Sequence, residues 1–226
     1  MTTTLVGSNW IVTLILAHFL ASIAAAEVRN LRTAVVAITI QSALLASIIA
    51  SFAYLSHNES LYYWSAITLL SKAVFIPVLL TYYTRRLPHG EVKPLLGFIP
   101  SITILSVALV IVYRFIHTYI EFFAPTPEAT LEPARSSLSI ALAIFALGIY
   151  VLVIKRDAIK MVIGLVLLEN GVHLSLITLA PTLPETTVIG ITTNVVVAAW
   201  LLLFLISRIY EVFGTTDTVD LSELKR

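Results

Sequence analysis

The stretch "LSIALAIFALGIYVLVIKRDAIKMVIGLVLLENGVHLSLI", residues 138–177, decides the fold class. It holds two apolar runs of about 20 residues, the length of the hydrocarbon core of a bilayer, parted by the cationic punctuation "KRDAIK". Only helices or closed barrels satisfy every backbone polar group in lipid. Runs this long are too long for barrel strands, so they predict membrane-spanning helices. The second run carries Glu169 and His173 where water does not reach.

Five more such runs can be drawn, giving spans over roughly 6–26, 33–55, 61–83, 95–117, 136–154, 161–180 and 188–208. The rest of the composition agrees. Of 226 residues, 58% are hydrophobic and 12% charged, and mean hydropathy is +0.96. The chain therefore reads as all-α, a polytopic membrane helical bundle of seven transmembrane helices forming a single integral membrane domain over 1–226. It leaves no room for a soluble domain. The absence of cysteine excludes disulfides and thiolate-bound clusters. "MTTTLVGSNW" lacks a basic leader region, so the first run reads as a retained span. A net charge of +1 implies no nucleic-acid partner.

Lys and Arg set the expected orientation. Eleven of the fourteen fall in the first, third and fifth connections and the tail: Arg29, Arg32, Arg85, Arg86, Lys93, Lys155, Arg156, Lys160, Arg208, Lys225 and Arg226. The other side has only Arg114 and Arg135. Positive-inside bias then places the N-terminus outside and the C-terminus inside a plasma membrane. The connection 118–135, with three prolines and three glutamates, reads as a solvated outer loop. Asn58-Glu59-Ser60 matches a glycosylation sequon, in a loop too short for the match to say much.

The buried polar residues carry the chemistry. At 1.5 Å per residue, Lys72 lies about 16 Å from the cation-rich end of its span, and Glu169, His18 and Gln41 about 12 Å. His173 lies about 18 Å in. Five polar side chains on four helices thus fall near one mid-membrane plane. A charge there costs about 3 kcal/mol, so such residues face the bundle interior, pair, and mark ion or proton paths. Glu169 and His173, spaced i and i+4, share a face. Burial and mutual proximity push Glu169 and Lys72 in opposite senses, which suits a proton relay. Pro77 frees the carbonyl of Ala73 and is expected to kink the third helix beside Lys72. The fifth span, with no polar residue at mid-depth, is expected to face lipid or an apolar neighbour.

Two stretches have a familiar pattern. "RDAIKMVIGLVLLENGVHLSLI", with the short loop, last span and "TVDLSELKR" after it, resembles the end of the complex I subunit called chain 4L. "YYWSAITLLSKAVFIPVLLTYYTRRLP" resembles the third span of the hydrogenase-4 component E family of formate hydrogenlyase and related membrane-bound hydrogenases. The resemblance covers nearly the whole chain. It implies a subunit, without an active site or cofactor of its own, of a redox complex coupled to ion movement. The implied partners are antiporter-like membrane subunits and a hydrogenase- or quinone-side membrane subunit. It places Glu169 and Lys72 on a central polar axis, with Asn170 beside it. There are departures. The glutamate of short chain 4L proteins falls at Val166, their second glutamate has no counterpart in "NVVVAAWLLLF", and Asn194 stands near a family aspartate. These suggest a lateral link or half-path rather than a complete channel.

Other functions stay open on the residues alone. His18 and His173 could ligate one haem b. A stand-alone transporter would show repeats and matched broken helices, and neither is visible. A pure assembly scaffold would use the buried polar residues as static ties between helices. The tail residues Val219, Leu221 and Leu224 are expected to dock on a partner subunit.

Overall fold

The computed structural model describes residues 9–86, 98–180 and 182–217. Seven long helices dominate: α1 (Asn9–Glu27), α2 (Leu31–Ser56), α3 (Glu59–Arg86), α4 (Phe98–Thr118), α5 (Ala134–Ile154), α6 (Ala158–Leu179) and α7 (Glu185–Phe213). All seven are long and apolar enough to cross a membrane. Short polar stretches start and stop them. Asn30 caps α2, its side chain accepting from the N–H groups of Arg32 and Thr33. Asn58 caps α3 by accepting from Ser60 N–H, so the sequon asparagine serves as a helix cap. Asp157 caps α6 through Ile159 and Lys160. Gly214, at φ 73°, closes α7 in the left-handed conformation that glycine takes without strain.

The α1–α2 hairpin packs against the α5–α6 hairpin. Helix α3 lies against α2 and α7, and α7 also touches α6. Helix α4 flanks α5 and is the least buried of the seven. The closest helix pair is α5 with α6. A Cβ on Gly148 would stand 2.5 Å from the Leu168 backbone nitrogen, and one on Gly171 would stand 2.7 Å from the Ala141 carbonyl oxygen. Glycine alone permits this approach. The fifth span therefore meets an apolar neighbour: Ile140, Ala141, Ile144, Leu147 and Val151 are all buried.

Three expectations change. The third span runs three residues past 83, to Arg86, and contains a π-helical segment, Leu69–Phe75, in which Ile76 N–H donates to Ser71 O. The break expected at Pro77 thus takes the form of a widened turn around Lys72. The seventh span runs on to Phe213. The 118–135 connection is more than solvated loop. It folds into a short helix, Ile120–Phe123, and a 3₁₀ turn, Pro127–Thr130, over a small core of Ile116, Ile120, Ala124, Ala129 and Leu138. Arg135 donates twice to the His117 carbonyl, which pins the connection to α4. The tail residues Val219, Leu221 and Leu224, like Lys93, Lys225 and Arg226, lie outside the described residues.

Candidate functional site

Lys72 enters the bundle from the π segment of α3 and is fully buried. It lies fourteen residues from Arg86 and thirteen from Glu59, halfway along its helix. Its ammonium meets two groups of α6. It pairs with Glu169 Oε2 and donates to His173 Nδ1 at 2.5 Å. The second carboxylate oxygen of Glu169 stands 3.4 Å from His173 Nε2, across one helical turn. Trp64, two turns before Lys72 on α3, sets its ring edge-on to His173 at 5.7 Å between centroids. In apolar surroundings an ammonium and a carboxylate are each costly alone and tolerable only together. The pairing therefore holds α3 on α6.

A neutral network abuts this charged one through the next residue. Asn170 Nδ2 donates to Gln41 Oε1 at 2.5 Å and to Ser42 Oγ at 3.3 Å. Gln41 Nε2 lies 3.3 Å from His18 Nε2 and donates to Ser22 Oγ at 3.2 Å. His18 Nδ1 is 2.9 Å from the backbone carbonyl oxygen of Gln41. A carbonyl only accepts, so Nδ1 carries the imidazole proton and Nε2 keeps a lone pair. His18, Gln41, Ser22, Ser42 and Asn170 are all fully buried. Four helices, α1, α2, α3 and α6, thus contribute polar side chains to two neighbouring groups that meet at residues 169 and 170 of α6.

Lys72, Glu169 and His173 make one cluster, and His18, Gln41 and Asn170 make its neighbour. Pro77 is buried just beyond the π segment. Asn194 does not join them: it is exposed on α7. Position rather than side-chain type excludes it, because the buried face of α7 at this level is formed by Thr192 and Val195. Sequence reasoning missed Ser22, Ser42 and Trp64. Ser22 follows His18 by one helical turn, a same-face spacing that could have found it. It also missed the burial of Glu27 and Lys160, whose places at the ends of apolar runs suggest ordinary solvated charges.

The imidazoles do not fit a bis-histidine haem. Both His18 nitrogens are engaged by Gln41. His173 offers its one lone pair to Lys72.

Such a site, set in seven apolar helices, defines a class: a polytopic helical membrane protein whose ionisable groups meet in the bundle interior. A family model described as NADH-ubiquinone/plastoquinone oxidoreductase chain 4L matches residues 136–226. Hydrogenase-4 component E of Escherichia coli (strain K12) is 33% identical over 186 residues, covering 82% of this chain and 83% of that protein. The proteins of the same description from Escherichia coli O157:H7 and Shigella flexneri match equally. No solved structure matches. The chain belongs to the hydrogenase-4 component E family, among the subunits of hydrogenase and complex I-like oxidoreductases.

Proposed function

We propose that this chain is a non-catalytic membrane subunit of an energy-converting redox complex, in which Lys72, Glu169 and His173 hold and pass protons near mid-membrane. The observation that carries the reading is the convergence of Lys72 from α3 with Glu169 and His173 from α6 in a buried contact. A tie between helices needs no titratable groups. Here three of them touch, and a hydrogen-bonded amide and imidazole chain adjoins them. Trp64 Nε1 and Thr68 Oγ1, buried on α3 within two turns of Lys72, have no hydrogen-bond partner among the described residues. Such atoms suit ordered water.

His18, Gln41 and Asn170 extend the polar zone sideways and form the link to neighbouring subunits. Those neighbours are antiporter-like membrane subunits and a hydrogenase- or quinone-side membrane subunit. The complex lies in the cell membrane with this chain's N-terminus outside and its C-terminus inside. The test is redox-driven proton movement by the intact complex in vesicles carrying Glu169→Gln or Lys72→Met. Loss of proton movement in assembled complexes supports the reading. Wild-type proton movement in both variants leaves a scaffold, a reading that the Asn170–Gln41 tie between α6 and α2 would then carry.

A further inference from the structure

The face of α7 that points away from the bundle carries an amide at a depth where lipid offers it no partner. Val188, Thr192, Val195 and Ala199 form the buried side of the helix. Thr186, Thr187, Gly190, Thr193 and Asn194 are all exposed. At 3.6 residues per turn these five fall within an arc of about 120° on the opposite side. Asn194 lies nine residues into α7, and Glu169 lies ten residues before the end of α6. Each is therefore about 14–15 Å from the connection between the two helices. Asn194 thus stands at the level of the Lys72, Glu169 and His173 cluster, but on the outward side of α7.

Nothing in this chain satisfies that amide. The side chains of Thr193 and Asn194 make no hydrogen bond among the described residues. Exposed Thr103 on α4 shows how a lipid-facing hydroxyl is ordinarily accommodated: it donates to the Ile99 carbonyl, one turn earlier, at 2.9 Å. The Asn194 amide has two donor hydrogens and an acceptor oxygen to place, and its side chain is too short to reach the headgroups from this depth. An unpaired amide in hydrocarbon is costly, whereas the same amide set between two helices ties them together. Gly190, one turn before Asn194, leaves the room such a neighbour needs, because a Cβ there would meet nothing within 4 Å. The exposed face of α4 is of another kind. Ile99, Ile104, Val107, Val110 and Ile111 are large and apolar, as lipid requires.

We propose that the Thr186–Asn194 face of α7 is a docking surface for a transmembrane helix of another subunit, which lies against Gly190 and presents a hydrogen-bonding side chain to the Asn194 amide. This rests on the reading of the chain as one subunit of a membrane complex. The face dictates the chemistry of its occupant. Acyl chains have no donor or acceptor, so lipid alone does not serve Asn194. The docking helix carries a hydroxyl, an amide or a protonated acid at the level of Asn194. It approaches most closely at Gly190, where its own residues are free to be bulky or small. Beyond Asn194 it is apolar, to match exposed Val197 and Leu201 on the same side of α7.

The test uses the intact complex in native membranes, with the photo-crosslinking residue p-benzoylphenylalanine placed at Thr187, at Val197 and, as the lipid-facing control, at Val107 of α4. Docking predicts a cross-link to another subunit from Thr187 and Val197 and none from Val107. Asn194→Leu should lower the fraction of this chain recovered in the complex about fivefold or more, the worth of one interhelical hydrogen bond. Asn194→Gln keeps an amide and should restore most of it. Gly190→Leu should lower recovery as well. Both positions face away from the core, so neither leucine variant should lower the melting temperature of the isolated chain. A fall there makes the face structural and overturns the proposal, as does normal recovery of Asn194→Leu in the complex. Cross-links to lipid alone from all three positions, in a complex that assembles, overturn the docking surface and leave the mid-membrane site standing. Cross-links between two copies of this chain also overturn it. Recovery of the chain from native membranes with no other subunit overturns the reading on which the proposal rests.

Discussion

The ammonium of Lys72 donates to Nδ1 of His173, and that bond decides the imidazole tautomer. The remaining ring proton is on Nε2, 3.4 Å from Glu169 Oε1. One lysine on α3 thus orients both ionisable side chains at this level of α6. Lys72→Met leaves Glu169 buried without a cation, an arrangement that costs about 3–5 kcal/mol when one partner is removed. Melting of the purified protein should show that loss. The double variant Lys72→Met/Glu169→Gln should recover most of it, and an additive double variant would show that the two groups do not interact.

His173 acts on this pair through an acceptor nitrogen and a donor nitrogen. His173→Gln keeps an acceptor for Lys72 and should retain part of the coupled proton movement. His173→Phe keeps the packing against Trp64 and removes both nitrogens. It should slow proton movement about tenfold or more. Equal rates in the two variants would make His173 a packing residue.

The amide chain is a matter of stability as well as route. Asn170→Leu removes the short bond to Gln41 Oε1. Interhelical hydrogen bonds in membranes are worth about 1 kcal/mol, rarely more than about 2. A fall in melting temperature of about 2–4 °C is expected. Asn170→Asp, unable to donate to Gln41 when ionised, should fall further.

The α5–α6 contact is tight enough to discriminate between glycines. At Gly148 a methyl group would meet the Leu168 backbone at 2.5–2.6 Å. Gly148→Ala should therefore force the helices apart, at about 1–3 kcal/mol or more. A methyl group added at Gly190, on an exposed face of α7, would meet nothing within 4 Å. Gly190→Ala should leave the melting temperature unchanged or raise it by the helix preference of alanine, about 0.5–1 kcal/mol.

Asp157, between α5 and α6, gives a pH dependence whose sign can be worked out. Burial pushes its carboxyl above the ordinary value, against the opposing hydrogen bonds from Lys160 N–H, the Thr216 hydroxyl and Ile159 N–H. Folding thus favours the protonated acid. Its contribution is full below the ordinary carboxyl value of about 3.9 and is lost as pH rises through the raised one. Asp157→Asn keeps a good cap for α6. It should flatten that part of the melting-temperature profile, measured from about pH 4 to pH 7.

Seven spans were legible because a run of about 20 apolar residues has one stable solution in lipid, and the polar connections between them are unmistakable. Lys72, Glu169 and His173 were legible for the converse reason. Ionisable groups are so costly in such runs that each one stands out. Depth along a helix follows from residue counting, so their common level could be read too.

Rotation about the helix axis and the choice of neighbour could not be read. Asn194 and Thr192 are two residues apart, yet one is exposed and the other buried. Nothing in an apolar run says which side faces lipid, because lipid and protein interior are equally apolar. The π segment around Lys72 was hidden for a similar reason. Pro77 announces a break, but the surrounding packing decides whether the helix bends or widens.

By itself, then, the sequence determined how many helices are long and apolar enough to cross, where the cores of those runs lie, and how deep the ionisable groups sit along them, because lipid penalises every unpaired polar atom and charge. Only the tertiary structure decided that Lys72 faces Glu169 and His173, that Gln41 joins His18 to Asn170, and that Glu27 and Lys160 are buried beneath them. Those contacts depend on which helices lie side by side, and close approaches such as that of Gly148 to Leu168 settle this in three dimensions.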